Sequence, residues 1–161
     1  MDQNKGFVWQ ARVERTLKAL AKNRIPAVYV PNREEAVKTV ESMLRPGDVV
    51  TCGGSMTLAE TGVMDLLKSG AYEFLDRQAM DPEEVYRKTF GADVFLMSAN
   101  AITEDGELYN VDGNGNRVAA LIFGPKRVIV VAGINKLVRN LDKAIARVKC
   151  MAAPANGVRL E

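Results

Sequence analysis

The chain has no histidine among its 161 residues, and that absence removes a large part of enzyme chemistry. Ser–His–Asp and Cys–His arrangements, imidazole general bases and His-ligated zinc all need a side chain that is not there. Acid–base work is left to Asp, Glu, Lys, Cys or Tyr. Cysteine is nearly absent too. Cys52 and Cys150 stand alone, without metal-type spacing, which points to a reduced, cytosolic compartment. No apolar run approaches the roughly 18 residues of a membrane span, and the stretch from Met1 to Lys5 lacks the apolar character of a secretory signal. Excess charge is missing as well: 22 Lys and Arg against 20 Asp and Glu leave +2, with no basic run of the kind that tracks nucleic acid.

What is present is the make-up of an ordinary soluble protein, 47% hydrophobic, so 161 residues can bury a core without disulfides or metal. We read one domain over residues 1–161, with residues 1–10 as a lead-in. Val13, Leu17 and Leu20 share a helical face, and Ala27–Val30 reads as a strand closed by Pro31. Ala36, Val37, Val40, Met43 and Leu44 line a second helix, ended by Pro46 and Gly47, and 48–52 is a short buried strand. Leu58, Ala59, Gly62, Val63, Leu66 and Leu67 mark one helix that stops at Gly70; 72–75 is a strand, and Asp81-Pro82 opens another helix. Strand 92–97, a polar hairpin near 102–111, a helix near 117–123 and strand 127–132 follow. Leu137, Val138, Leu141, Ala144, Ile145 and Val148 give the last amphipathic helix. Strand–helix alternation with continuous apolar strands means an α/β fold, a mainly parallel sheet between two helix layers with a local β-hairpin.

Four places have the residues for chemistry. The first is Thr51-Cys-Gly-Gly-Ser-Met-Thr57, between a strand and a helix. Gly53 and Gly54 let a ligand approach the backbone, and Ser55 or Thr57 either caps the helix or contacts an anion. The same pattern fits a tight turn with a capping serine. Glu60, one turn on, faces such a site or is a solvated acid near the helix start. Cys52 is either a nucleophile, if the helix start lowers its pKa, or a small buried hydrophobe.

The second is Asp93, which opens an otherwise apolar strand: a general base if burial raises its pKa, a strand-edge cap otherwise. The third is the hairpin region, Asn100, Glu107, Asn110, Asn116 and Arg117. Asparagine amides suit sugar hydroxyls, and Arg117 can fork onto a carboxylate or phosphate; several of these residues also serve as plain turn formers. The fourth is the strand–Gly–helix junction ending in Lys136, which can meet an anion. Asn100, Asn110, Arg117 and Asp93 are expected to line one cleft with Gly53–Ser55, because all are read as sitting at or just beyond the carboxyl ends of parallel strands, where open sheets bind ligands. Arg117, read as an exposed turn residue, is expected to change stability on removal by no more than about 0.5 kcal/mol.

With Gly53-Gly-Ser-Met-Thr-Leu-Ala-Glu-Thr-Gly62, Ser98-Ala-Asn-Ala-Ile-Thr103, Asn110-Val-Asp-Gly-Asn-Gly-Asn-Arg117, Gly124-Pro-Lys126 and Val131-Ala-Gly-Ile-Asn-Lys136 set out, the chain resembles the LUD-domain family. These are lactate-utilization proteins typified by the C subunit of the bacterial system. The resemblance implies a three-layer α/β/α fold of the NagB/RpiA/CoA-transferase-like group. It also implies a role in oxidising lactate to pyruvate with iron–sulfur partner subunits. Family members often continue with a cysteine-rich tail, and the terminal Leu160-Glu161 fits a cloning remnant. No cluster-binding motif lies in this chain, so the resemblance places the electron carrier on a partner.

A second likeness is to the methylthioribose-phosphate isomerases. It rests on Gly91-Ala-Asp93, Asp105-Gly106 and Asn110, and would make Asp93 catalytic. Here Cys52 is followed by Gly-Gly-Ser, which departs from the isomerase turn. Three readings therefore stand side by side: a component of lactate oxidation, a stand-alone binder or isomerase-like enzyme for a phosphorylated sugar or CoA-type ligand, and a subunit with a vestigial cleft. Self-association is compatible with each.

Overall fold

A computed structural model describes residues 3–160 of the chain. In order, these form α1 (Gln3–Lys22), α2 (Arg33–Met43), β1 (Val49–Cys52), α3 (Met56–Thr61), α4 (Val63–Leu67), β2 (Glu73–Leu75), α5 (Pro82–Thr89), β3 (Val94–Met97), β4 (Ala101–Thr103), β5 (Leu108–Tyr109), α6 (Asn116–Phe123), β6 (Arg127–Val130), β7 (Leu137–Val138), α7 (Leu141–Arg147) and α8 (Ala153–Leu160). A 3₁₀ turn, Ile134–Lys136, precedes β7, and a π-helical turn, Val148–Ala152, joins α7 to α8. Among the described residues no helix is long and apolar enough to cross a membrane. The chain divides into two compact units, one of residues 30–98 and 112–132, the other of 1–29, 99–111 and 133–161.

The unit of residues 30–98 and 112–132 is built on a four-stranded, all-parallel sheet in the order β2-β1-β3-β6. All four residues of β3 are buried, and they alternate strictly between faces. Val94 and Leu96 join Val50 against Val40, Leu44, Leu58, Val63 and Leu67 of the α2–α4 layer. Phe95 and Met97 pack on the opposite face against Ala120 of α6. On that second face Thr51 meets Thr89 of α5, hydroxyl to hydroxyl at 3.1 Å, and Thr89 also donates to the Val85 carbonyl at 2.8 Å. A central strand apolar on both faces is what a parallel sheet between two helix layers requires. The expected α/β architecture is therefore present, with its three layers in this unit.

The other unit carries a three-stranded mixed sheet, β5-β4-β7. The hairpin β4–β5 is antiparallel and closes through Gly106 at φ 84°. A Cβ at Gly106 would lie 2.5 Å from the Ala19 carbonyl carbon, so the turn seats directly on the α1 backbone and only glycine fits. Asn23 closes the same contact by donating to the Gly106 carbonyl at 2.9 Å. Arg12 and Arg15 of α1 both reach the Glu104 carboxylate, at 2.7 and 2.8 Å, and the Arg12 guanidinium also lies 4.4 Å from the Trp9 ring centroid.

Three elements differ from the sequence reading. Residues 27–30 form no strand; Pro26 and Pro31 bracket the run and remove the amides a ladder needs, and Val28 and Tyr29 are exposed. The helix read across 58–67 is two short helices, α3 and α4, because Gly62 turns left-handed at φ 86°. Leu137 and Val138, assigned by periodicity to a long final helix, are instead β7, paired in parallel with Ile102 and Thr103. Asn140 then caps α7 through its side chain, which accepts from the Lys143 amide at 3.2 Å.

Candidate functional site

At the carboxyl end of β1 the ladder runs one residue past the strand, the Gly53 amide donating to the Leu96 carbonyl at 3.0 Å. The chain then turns through Gly54 into α3. Ser55 is the N-cap; its hydroxyl accepts from the Leu58 amide at 3.3 Å, a contact worth about 1 kcal/mol. Side chains lie close against both glycines. A Cβ at Gly53 would touch the Arg117 stem and the Phe95 ring, each at 3.4 Å. A Cβ at Gly54 would come within 2.5 Å of Nη2 of Arg77. The turn thus has an arginine packed on each glycine. Beside it is a pocket of about 30 Å³ lined in part by Cys52, Gly53, Thr89, Phe90, Phe95 and Asn116. That volume holds a water or two.

Arg117 is held from several sides. Its Nε and Nη2 converge on Oδ1 of Asp112, at 2.8 and 2.7 Å, and its Nη1 donates to the Ser98 carbonyl at 2.8 Å. The second carboxylate oxygen of Asp112 accepts from the Val118 amide at 2.6 Å, tying the loop to the first turn of α6. Arg117 and Asp112 side chains are only 15% and 7% exposed. The expectation of a solvated turn arginine is corrected: Gly113, Asn114 and Gly115 stay exposed, but the Arg117 and Asp112 side chains turn inward, and the guanidinium edge read as a fork for a ligand faces Asp112.

Of the residues singled out from sequence, Gly53, Gly54, Ser55, Asn116 and Arg117 come together at this end of the sheet. Thr57 is half-buried in the first turn of α3, and Glu60 is exposed on the same helix. Asp93 does not join them. It precedes β3, so it lies at the amino end of a strand whose carboxyl end faces the glycine turn. Its carboxylate accepts from the Val49 amide at 3.0 Å, and its own amide donates to the Val49 carbonyl at 2.9 Å. The one-cleft expectation therefore fails for Asp93, because parallel strands put their starts and ends a strand length apart.

Asn100, Glu107, Asn110 and Lys136 belong to the other unit. Asn100 accepts from the Val111 amide at 2.9 Å, which braces the hairpin base. Glu107 is exposed and accepts from the buried Thr103 hydroxyl at 2.9 Å, while that hydroxyl accepts from the Glu107 amide at 3.0 Å. Asn110 and Lys136 are half-buried.

Cys52 packs with the α2–α4 layer, its thiol 3.8 Å from the Met64 sulfur. Burial pushes the thiol up to about 11, with Arg77 pulling weakly the other way. A thiol that stays protonated at neutral pH is no nucleophile, so the hydrophobe reading holds.

The residue that sequence reasoning passed over is Arg77. It follows β2 by two positions, a strand-end location of the same kind that drew attention to Gly53, but no glycine or asparagine marks it. Asp112 was likewise not among the candidate residues. No curated protein and no solved structure matches the chain. The family model described as the LUD domain matches residues 13–161, nearly the whole length and both units. The chain belongs to the LUD-domain family, whose domain is found in lactate utilization proteins.

Proposed function

We propose that this chain is a component of L-lactate oxidation to pyruvate, acting with iron–sulfur partner subunits. The observation that carries the reading is the LUD-domain match over residues 13–161. Two electrons leave lactate at each turnover, and a carrier must take them. A four-thiolate cluster site is beyond a chain with two cysteines, so in this reading the cluster sits on the partner. The ligand end of the proposal is the turn Gly53-Gly54-Ser55, which we assign to a small anionic ligand. Support comes from its position at the carboxyl end of a parallel sheet, where such sheets bind ligands, and from the arginine packed on each glycine.

The isomerase-like alternative needs Asp93 beside that turn, and the strand length between them removes its support.

Affinity isolation of the chain from its native cells tests the reading. Co-purifying iron, a visible absorption band of an iron–sulfur protein, and L-lactate-dependent dye reduction by the isolate are the expected result. An iron-free isolate with no lactate-dependent reduction counts against it.

A further inference from the structure

An asparagine or aspartate followed by glycine is chemically labile, because the glycine nitrogen reaches the side-chain Cγ without a Cβ in the way. This chain has four such pairs: Asp105-Gly106, Asp112-Gly113, Asn114-Gly115 and Asn156-Gly157. The fold restrains three of them. Gly106 is packed on the Ala19 backbone. The Asp112 carboxylate is held by Arg117 and by the Val118 amide, at 2.7 and 2.6 Å. Asn156 lies within α8, whose helical backbone fixes Gly157, and its Oδ1 accepts from Arg159 at 2.6 Å. Asn114 has none of these restraints. Gly113, Asn114 and Gly115 are all exposed, and a Cβ at either glycine would meet nothing within 4 Å. Among the described residues no hydrogen bond holds the Asn114 side chain. Gly115 is the N-cap of α6 at φ 72°, so its amide stands ahead of the helix and outside its ladder.

We propose that Asn114 is a spontaneous deamidation site, and that isoaspartate formed there loosens the Asp112–Arg117 pair. The Gly115 nitrogen attacks Cγ of Asn114 and closes a succinimide ring. The bond from Cγ to Nδ2 breaks, and ammonia leaves with the proton that the Gly115 amide gives up. Water then opens the ring on one of its two sides. Hydrolysis at Cγ yields aspartate. Hydrolysis at the main-chain carbonyl yields isoaspartate, whose backbone runs through Cβ and Cγ and is one carbon longer. Asp112 lies before that insertion, and both of its partners, Arg117 and the Val118 amide, lie after it. A longer backbone between them disturbs the alignment that two short contacts to one carboxylate need. The new charge also stands two residues from Asp112, close enough to compete for the same guanidinium.

The test is a peptide map of the folded protein after prolonged incubation at pH 8 and at pH 6, in wild type, Asn114→Gln and Gly115→Ala. An isoaspartyl-specific methyltransferase counts the isomer. In wild type the new acid is expected in the peptide that contains Asn114, with Asn156 intact. It should form faster at pH 8, because the attacking nitrogen must lose its proton. Asn114→Gln, which would have to close a larger ring, and Gly115→Ala, whose methyl crowds the attack, should both lose the reaction. Aged wild type should then unfold at lower urea than Asn114→Asp, which has the charge without the extra backbone carbon. An intact Asn114 after incubation, or equal loss at Asn156, overturns the site. Aged protein as stable as Asn114→Asp overturns the loosening of the Asp112–Arg117 pair.

Discussion

Nε and Nη2 of Arg117 meet a single carboxylate oxygen of Asp112, at 2.8 and 2.7 Å, while the other oxygen of Asp112 holds the Val118 amide at 2.6 Å. The pair is a fastening between the loop and α6, with the Arg117 stem laid across Gly53. Removing one member leaves the other charge largely buried. Arg117→Ala and Asp112→Ala are each expected to cost roughly 3 kcal/mol. In a double-mutant cycle the two losses should fall well short of adding. Urea denaturation measures this, and a cost within about 0.5 kcal/mol for Arg117→Ala, the surface value, contradicts the fastening role.

The hairpin seat makes a prediction in the other unit. Gly106→Ala puts a methyl into the Ala19 carbonyl at a positive φ. Left-handed strain and overpacking together should cost about 2–5 kcal/mol. Gly113→Ala, where a Cβ meets open space, is the comparison and should change stability little. Equal melting temperatures for the two variants would show that the hairpin does not rest on α1 as described.

Glu104 supplies the pH dependence. Burial alone would raise its pKa, but Arg15 and Arg12 outweigh burial and hold the carboxyl below the usual glutamate range. The unfolded chain then binds more protons than the native one in the acid window. The stabilisation is complete above the unfolded value of about 4.3 and is lost as pH falls through the folded value. Asp48 behaves in the same sense, held down against burial by the Arg45 amide and by Arg127. The urea midpoint should therefore drop between pH 6 and pH 3, and Glu104→Gln should flatten part of that slope. A slope unchanged by Glu104→Gln would mean the two arginines contribute nothing in solution.

The two thiols should differ sharply. Cys150 is exposed, whereas Cys52 is half-buried and pushed up to about 11 by burial. Iodoacetamide at pH 8 is expected to alkylate Cys150 alone in the native protein, and both residues in urea, as read by peptide mass spectrometry. Rapid native alkylation of Cys52 would reopen its candidacy as a nucleophile.

These outcomes show which features sequence could reveal. The parallel core was legible because β3 is apolar on both faces and its flanking helices keep a 3.6-residue period. The glycine turn was legible because strand–Gly-Gly–helix is a local pattern. The partners of Arg117 and the packing of Arg77 on Gly54 were not, since they are set by tertiary contacts that no local pattern encodes. Asp93 was misplaced for a related reason. Its type and its place beside a strand were readable, but the site needed the other end of that strand. Leu137 and Val138 fit a helical period by coincidence, and only pairing with β4 decides for a strand.

The most direct test of the account is L-lactate consumption in the native organism with the gene deleted and then restored. Loss of L-lactate-dependent growth and pyruvate formation on deletion, recovered by the wild-type chain, is the predicted result. Undiminished lactate consumption in the deletion strain would contradict the proposed function outright.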